Sequence, residues 1–203
     1  MEAKCATSQQ FAVAKAQLSS LQKKLRADET LNHLYQQTLL TDIEKNYIKV
    51  VSFEDPPPEK IWYLPHHPVT NPNKPGKVRR VSNAASVFKG NSLNNNLLTG
   101  PDLINNLVGI LLRFRENPVA VMADIEAMFM QVAIIESDQS ALRFLWPTEK
   151  GILQYQYTRL IFGARCSPTI AIFVLNKTAQ DFAPNQYIKD LVKISFYMDD
   201  LVQ

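Results

Sequence analysis

The chain has 203 residues, of which 46% are hydrophobic and 20% are charged, a composition typical of a globular protein. Its 6 glycines and 12 prolines exclude collagen-like and low-complexity classes. Lys and Arg number 22 and Asp and Glu number 19, so the net charge of +3 does not by itself indicate a nucleic-acid-binding protein. The sequence contains no apolar run of about 18 residues and its N-terminus is polar, so we expect neither a membrane span nor a signal peptide. The two cysteines, Cys5 and Cys166, do not predict a disulfide framework, and we expect an intracellular location.

Positive charge is concentrated in one segment. Residues 60–101 contain six Lys and Arg and no Asp or Glu, whereas the rest of the chain has 16 basic and 19 acidic residues. This distribution predicts a surface that binds a polyanion, with Trp62, Tyr63 and Phe88 available to stack on bases. A solvated loop that lacks acidic residues is the alternative explanation.

The N-terminal quarter is predicted to form two helices. Apolar residues recur at spacings of three and four over residues 9–27 and again over 31–47, with Asp28 or Thr30 as a cap between them. The repeat is too short for a long coiled coil, so we expect these helices to pack against the rest of the protein. Prolines 56–58 end the helical region.

Residues 61–75 contain four prolines and are predicted to be extended or looped, and residues 77–81 alternate as an edge strand does. We assign His66 and His67 to a loop, because the sequence offers no third ligand for a zinc ion.

The second half alternates predicted helices and strands. We expect a helix over 102–116 that buries one apolar face, then a strand at 119–123 that is buried on both faces and ends at Asp124. Further predicted elements are strands at 141–147 and 153–160, a helix from an N-cap at Ser167 to about 182, and a strand at 191–198.

Three carboxylates follow these predicted buried strands, namely Asp124, Asp199 and Asp200. A carboxylate near a buried strand is costly unless it is paired, and Mg²⁺ is a suitable partner. Side chains alternate along a strand, so Asp199 and Asp200 can serve one site only if the chain turns at 198–201. Adjacent aspartates also occur in ordinary solvated turns, and the pair alone does not decide between these readings.

The surrounding motifs favour the metal site. Tyr197-Met198-Asp199-Asp200 resembles the Tyr-x-Asp-Asp box of reverse transcriptases, and Asp124, with Phe129 five positions later, resembles their first catalytic box. Phe162-Gly163 followed by Ser167-Pro168 is similar to the turn that opens a palm helix in that family. The segments YLPHHPV, KVRRV, SLNNNLLTGPDL, LLRFRENPVAVMADIEAMF and RFLWP resemble the polymerase region of BEL/Pao-type LTR retrotransposons, and the resemblance covers residues 18–203.

The resemblance implies an α+β fold made of the fingers and palm of a right-hand polymerase, with a small antiparallel sheet backed by helices and truncated before the thumb. It implies a helical lead-in at 1–58, a fingers-like basic segment at 59–101 and an incomplete palm at 102–203. The implied activity is RNA-directed DNA synthesis, a two-metal transfer of a nucleotide from dNTP to a primer 3′-hydroxyl on an RNA or DNA template. We expect weak or no activity without the thumb. In a full-length element, the thumb, RNase H and integrase would accompany the chain in a cytoplasmic particle.

The resemblance also implies roles for individual residues around the reacting centre. Asp124, Asp199 and Asp200 would hold two Mg²⁺ ions, for which Mn²⁺ can substitute. Phe129 would lie under the sugar of the incoming nucleotide and exclude a 2′-hydroxyl. Tyr197 and Met198 would contact the primer end.

A second set of residues would contact the nucleotide from the fingers. Arg79 would bind its phosphates, with Lys77 and Arg80 as nearby substitutes, since a guanidinium fork suits a triphosphate. Phe162 and Gly163 would lie near the nucleotide and the template base. The family usually has an aromatic and an acidic residue where this chain has Ser82 and Asn83, a departure that affects the geometry near Arg79.

Two other functions remain open at this point. The chain could be an inert retroelement remnant that at most binds nucleic acid through residues 60–101. It could also be a helical interaction protein built on residues 9–49, although only the helical periodicity supports that reading.

Overall fold

The chain is described from a computed structural model that covers residues 2–51, 60–74 and 76–203, with side chains from residue 10 onward. The predicted stop at prolines 56–58 lies outside these residues. The chain divides into two compact units: unit 1 comprises Met1–Leu97 and Ala133–Ala164, and unit 2 comprises Leu98–Val132 and Arg165–Gln203. Residues 133–164, which belong to the predicted palm segment, are therefore part of the same unit as the N-terminal segments.

Unit 1 begins with the two predicted helices, α1 (Glu2–Arg26) and α2 (Glu29–Glu44). Asp28 caps α2, because its side chain accepts a hydrogen bond of 2.9 Å from the Leu31 amide, which satisfies one of the free donors at the helix start. The prediction of both helices is confirmed, although α2 ends at Glu44 rather than near residue 47.

The strands of unit 1 form two antiparallel sheets. Strands β1 (Ile48–Val50), β5 (Arg143–Thr148) and β6 (Gly151–Tyr157) form a sheet with the order β1-β6-β5. Strands β2 (His66–Thr70) and β3 (Val78–Ser82) form a separate hairpin in which His66 pairs with Ser82 and Thr70 with Val78. A short helix, α4 (Glu136–Gln139), precedes β5. The strands predicted at 77–81, 141–147 and 153–160 are confirmed by β3, β5 and β6.

The core of unit 1 consists of an apolar cluster and an aromatic cluster. Four buried residues from α1, β5 and the segment before β2 form the first cluster: Ala14, Leu18, Tyr63 and Leu145. Tyr63 is therefore not available to stack on a base, and that prediction is wrong. Its side chain packs inward instead because its hydroxyl donates to Gln154 Oε1 at 3.0 Å.

His66 lies at the centre of the aromatic cluster, where its ring contacts those of Tyr35, Phe144 and Trp146. Its Nε2 is 2.9 Å from the Leu145 carbonyl oxygen and its Nδ1 is 2.5 Å from the Tyr35 hydroxyl. The carbonyl can only accept, so Nε2 donates to it and Nδ1 accepts from Tyr35, which fixes a neutral imidazole. The ring also stacks on Trp146 with centroids 5.5 Å apart. The assignment of His66 and His67 to a loop is wrong, because both pair within β2, where strand alternation buries His66 and leaves His67 exposed.

Buried His66 predicts a loss of stability in mild acid. Burial lowers the pKa of His66 from 6.5 to about 3. The unfolded chain therefore takes up a proton below about pH 6.5 that the folded chain does not bind until about pH 3, so stability falls across that window. We expect a loss of about 2 kcal/mol between about pH 8 and about pH 5, measured by urea unfolding.

Two variants isolate this contribution. The exposed neighbour provides the matched control, because His67→Gln should keep the full acid sensitivity. His66→Gln should start less stable and lose less on acidification. Equal slopes in the two variants would show that His66 is not the group responsible.

Unit 2 contains the helices α3 (Leu107–Arg113), α5 (Ser167–Phe182) and α6 (Gln186–Ser195). Its sheet has the order β4-β8-β7, with β4 (Met122–Asp124), β7 (Phe196–Tyr197) and β8 (Asp200–Val202), all antiparallel. The helix predicted from Ser167 is confirmed, although its N-cap is Cys166 and Ser167 is already within the helix.

Three predictions for unit 2 are wrong. The helix expected over 102–116 is only the seven residues of α3, and its expected apolar face is only partly covered, since Ile110 is buried whereas Leu107 and Leu111 are exposed. The strand expected at 119–123 is shorter and is not buried, because β4 is an edge strand of the sheet and Met122 is 70% exposed. Of the strand expected at 191–198, residues 191–195 belong instead to α6, which starts where the Asn185 side chain accepts from the Ile188 amide, and strand pairing begins only at Phe196.

None of the helices within the described ranges is both long and apolar enough to cross a membrane.

Candidate active site

The predicted catalytic carboxylates lie on neighbouring strands of unit 2. In the register of β4 and β8, Asp124 is directly opposite Asp200. Directly opposed residues in an antiparallel pair project from the same face, with Cβ atoms about 4.5–5.5 Å apart. The Ile125 amide also donates to the Asp199 carbonyl at 2.9 Å, which ties the end of β4 to the hairpin tip. The fold therefore brings Asp124 and Asp200 together on one face.

The predicted turn at 198–201 is present. Tyr197 pairs with Asp200, so Met198 and Asp199 form a two-residue loop between β7 and β8. Met198 has φ = 56°, a left-handed conformation that is unfavourable for a residue with a side chain. Such conformations persist where the surrounding structure holds them and are frequent at functional sites.

The donor chemistry of this face suits a hard divalent cation. All three aspartates are exposed, and no lysine or arginine of the described residues forms an ion pair with any of them. Two like charges directly opposite in a sheet repel each other, and a cation between them would remove that cost. Mg²⁺ commonly binds one or two protein carboxylates and completes its shell with water and phosphate oxygens.

The third carboxylate is not gathered with the other two. Among the described residues, no three His, Cys, Asp or Glu side chains form a group that could hold a metal ion. Asp124 and Asp200 therefore fit as a two-carboxylate pair, and Asp199 lies beside them in the turn.

Phe129 follows β4 on a short 3₁₀ helix, Met128–Gln131. The chain enters this helix through Ala127, whose φ of 50° is left-handed. Met128 and Met130 are buried, whereas Phe129 is half-buried and keeps part of its ring accessible. The role of Phe129 in sugar selection stays a prediction.

In unit 1, side chains alternate between the two faces of the β2–β3 hairpin, so the predicted basic residues do not all lie on the same face. Val78 and Arg80 point inward, whereas Arg79 is exposed, as is Lys77 just before the strand. Lys74 in the hairpin loop is also exposed. None of these three cations forms an ion pair within the described residues, so the hairpin presents a face of unpaired positive charge.

Arg80 has a structural role in this conformation. Its guanidinium forms an ion pair with Asp42 and is 4.2 Å from the centroid of Phe144, and its side chain is 2% exposed. Burial raises the pKa of Asp42, and Arg80 acts in the opposite direction and favours its charged form. Arg80 is therefore not placed to substitute for Arg79 at a phosphate, because strand alternation turns it into the core.

Asp42, the ion-pair partner of Arg80, is not among the residues predicted from the sequence. It could have been recognised from helical spacing, since Tyr35, Leu39 and Asp42 follow each other at intervals of four and three and share the inward face of α2.

The Phe162-Gly163 turn is held against the end of β3 by close backbone contact. Gly163 has φ = 106°, and a Cβ at this position would lie 2.1 Å from the Ser82 carbonyl oxygen. The Asn94 side chain donates to the Gly163 carbonyl at 3.1 Å. Glycine is therefore required here by packing, whatever contact the turn makes with a ligand.

The sequence model of one protein family, described as reverse transcriptase (RNA-dependent DNA polymerase), matches residues 74–203, which is more than half of the chain. The chain belongs to the reverse transcriptase family. The matched region includes all the predicted site residues of both units, from Lys77 to Asp200.

The fold of this reverse transcriptase domain is also found in a solved structure. A foamy viral protease–reverse transcriptase, determined in complex with double-stranded DNA, superimposes with a TM-score of 0.63 at 19% sequence identity. The match covers 85% of this chain and 26% of the foamy viral chain, so the domain corresponds to about a quarter of that protein. No curated protein matches the chain.

Proposed function

We propose that this chain forms the fingers and palm of an RNA-directed DNA polymerase from a BEL/Pao-type retrotransposon. The observation that carries the proposal is the direct pairing of Asp124 with Asp200 next to a two-residue hairpin, within a reverse transcriptase domain. Unit 1 would be the fingers and unit 2 the palm. The BEL/Pao origin rests on the sequence motifs alone.

In this proposal the facing carboxylates of Asp124 and Asp200 would hold two Mg²⁺ ions, and Asp199 would join them from the adjacent hairpin turn when the ions bind. When bound, the ions lower the pKa of the primer 3′-hydroxyl and stabilise the negative charge on the leaving pyrophosphate. Phe129 bounds the space for the sugar and excludes a 2′-hydroxyl by contact. Tyr197, at the end of β7, and Met198, in the hairpin loop, orient the primer end.

The partners would be an RNA or DNA template with its primer, and dNTP. The exposed cations at residues 74, 77 and 79 support this assignment, because unpaired Lys and Arg on a protein surface attract phosphates. The foamy viral reverse transcriptase with the same fold was solved with double-stranded DNA.

Addition of a single nucleotide tests the proposal directly. The 203-residue chain, in excess over a labelled primer–template and with Mg²⁺ and one dNTP, should bind the duplex at low salt and extend the primer slowly by one nucleotide, at the weak rate expected of a chain without the thumb. Single addition is the appropriate assay because it does not require processive synthesis. Binding without addition would favour the inert remnant, and absence of both would contradict the proposal.

Arg79 should contribute most among the basic residues of the hairpin. Arg79→Ala removes an exposed guanidinium that can donate two charged hydrogen bonds, so we expect the Kd for dNTP to rise by about tenfold or more. Lys24→Ala on the exposed face of α1 removes the same charge and should leave the Kd unchanged. Titration with a fluorescent dNTP measures both, and an equal effect of the two variants would assign the contribution to net charge alone.

A further inference from the structure

Two side chains of unit 2 converge on the junction between α6 and β7. This junction directly precedes the β7–β8 hairpin that carries Asp199 and Asp200, called the carboxylate hairpin below. The Asn105 side-chain amide donates to two carbonyls, those of Lys193 and Phe196, each at 2.9 Å. The Arg113 guanidinium donates to the carbonyl of Ile194. The junction thus receives three side-chain hydrogen bonds within four residues.

These carbonyls need such donors because of where they lie. Lys193 and Ile194 are in the last turn of α6, where carbonyls have no partner within the helix. Phe196 begins β7, an edge strand of its sheet, and an edge strand leaves a row of outward carbonyls unpaired. Asn105 binds one carbonyl at the end of the helix, that of Lys193, and one at the start of the strand, that of Phe196. It thereby fixes the angle between the end of α6 and the start of β7.

The far end of the hairpin is tied to the same junction. Ser195 is 1% exposed, and its hydroxyl donates to Gln203 Oε1 at 2.6 Å. The segment from Phe196 to Val202 is therefore closed at its base by side chains, and its tip holds Met198 in a left-handed conformation. Only three or four residues separate this base from Asp199 and Asp200 at the tip, which β7 and β8 join by antiparallel pairing.

We infer that Asn105 is a positioning residue for the carboxylate hairpin. It touches no reacting atom. It sets the orientation of the strand that presents Asp200 to Asp124, and Arg113 supports it from α3. The inference rests on the proposed function in so far as Asp199 and Asp200 are taken as metal ligands. The restraint that Asn105 places on the hairpin can be measured without catalysis.

The test uses Asn105→Ala and the isosteric Asn105→Asp, both of which remove the donor. The adjacent Asn106 is the matched control, because its side chain accepts from the Gly109 amide and caps α3. Asn106→Ala thus removes a hydrogen bond of the same residue type one position away.

Two readouts are compared in the full chain. Hydrogen exchange of the amides of residues 196–202 should accelerate by roughly tenfold in both Asn105 variants, since two hydrogen bonds are lost, whereas Asn106→Ala should accelerate only the first turn of α3. Binding of Mn²⁺, followed by electron paramagnetic resonance, should weaken by roughly fivefold or more in the Asn105 variants and remain unchanged in Asn106→Ala.

The inference is overturned if the hairpin exchanges at the wild-type rate in the Asn105 variants, or if the Asn105 and Asn106 variants weaken Mn²⁺ binding equally. Failure of the proposed function has a different signature. In that case the wild-type chain itself binds no Mn²⁺, and the exchange data alone decide whether Asn105 restrains the hairpin.

Discussion

Replacing Asp124 with Asn should lower the rate of single-nucleotide addition by about 10³-fold or more while leaving the domain folded. The amide has almost the same shape as the carboxylate but lacks the negative charge that a divalent cation requires. Because Asp124 is directly opposite Asp200, the substitution also removes a like-charge repulsion. We therefore expect thermal stability without metal to stay equal to that of the wild type or to rise slightly.

This combination of lost activity and retained stability distinguishes a metal-binding carboxylate from a structural one. Asp199→Asn should abolish addition in the same way, since the Asp-Asp pair acts together in the proposed site. Glu116→Gln, at an exposed position of unit 2, is the control for the loss of one negative charge and should be fully active. An Asp199→Asn variant with undiminished addition would refute the metal assignment at the hairpin.

The second large effect is expected on folding. Gly163→Ala should destabilise the protein by about 3 kcal/mol or more, because the new Cβ would lie 2.1 Å from the Ser82 carbonyl oxygen at a φ of 106°. The neighbouring atom belongs to the backbone at the end of β3 and cannot rotate away. Either the turn or the end of the hairpin must move.

Gly90→Ala is the matched control for this prediction. Gly90 also has a positive φ, 79°, but a Cβ there would meet nothing within 4 Å. It should cost about 1 kcal/mol, the conformational penalty alone. Chemical denaturation of both variants measures the difference, and similar losses would show that the contact with Ser82 relaxes easily.

The N-terminal helices and the antiparallel strands of unit 1 follow directly from local sequence. The apolar spacing over 9–27 and the capping side chain of Asp28 act within one or two turns, so they can be read without knowledge of distant residues. The same holds for the hairpin at 198–201, which is required if two adjacent aspartates are to serve one site.

The errors occur where burial depends on distant partners. The run at 119–123 is apolar enough for a buried strand, but β4 lies at a sheet edge and stays exposed. The apolar run at 191–195 is predicted as part of a strand, but the Asn185 cap starts a helix that continues through it. His66 reads as a loop residue until Tyr35 and Leu145 enclose it.

The sequence by itself determined the family motifs, the three aspartates that are candidate metal ligands, and the concentration of positive charge in residues 60–101. Each of these depends only on residue type and spacing. The tertiary structure alone decided which of these groups face one another. Strand register paired Asp124 with Asp200, and strand alternation separated exposed Arg79 from buried Arg80. The physical reason is that pairing and burial are set by contacts between distant segments, which no local pattern encodes: Arg80 and Asp42 are 38 residues apart, and Asp200 and Asp124 are 76 residues apart (200 − 124).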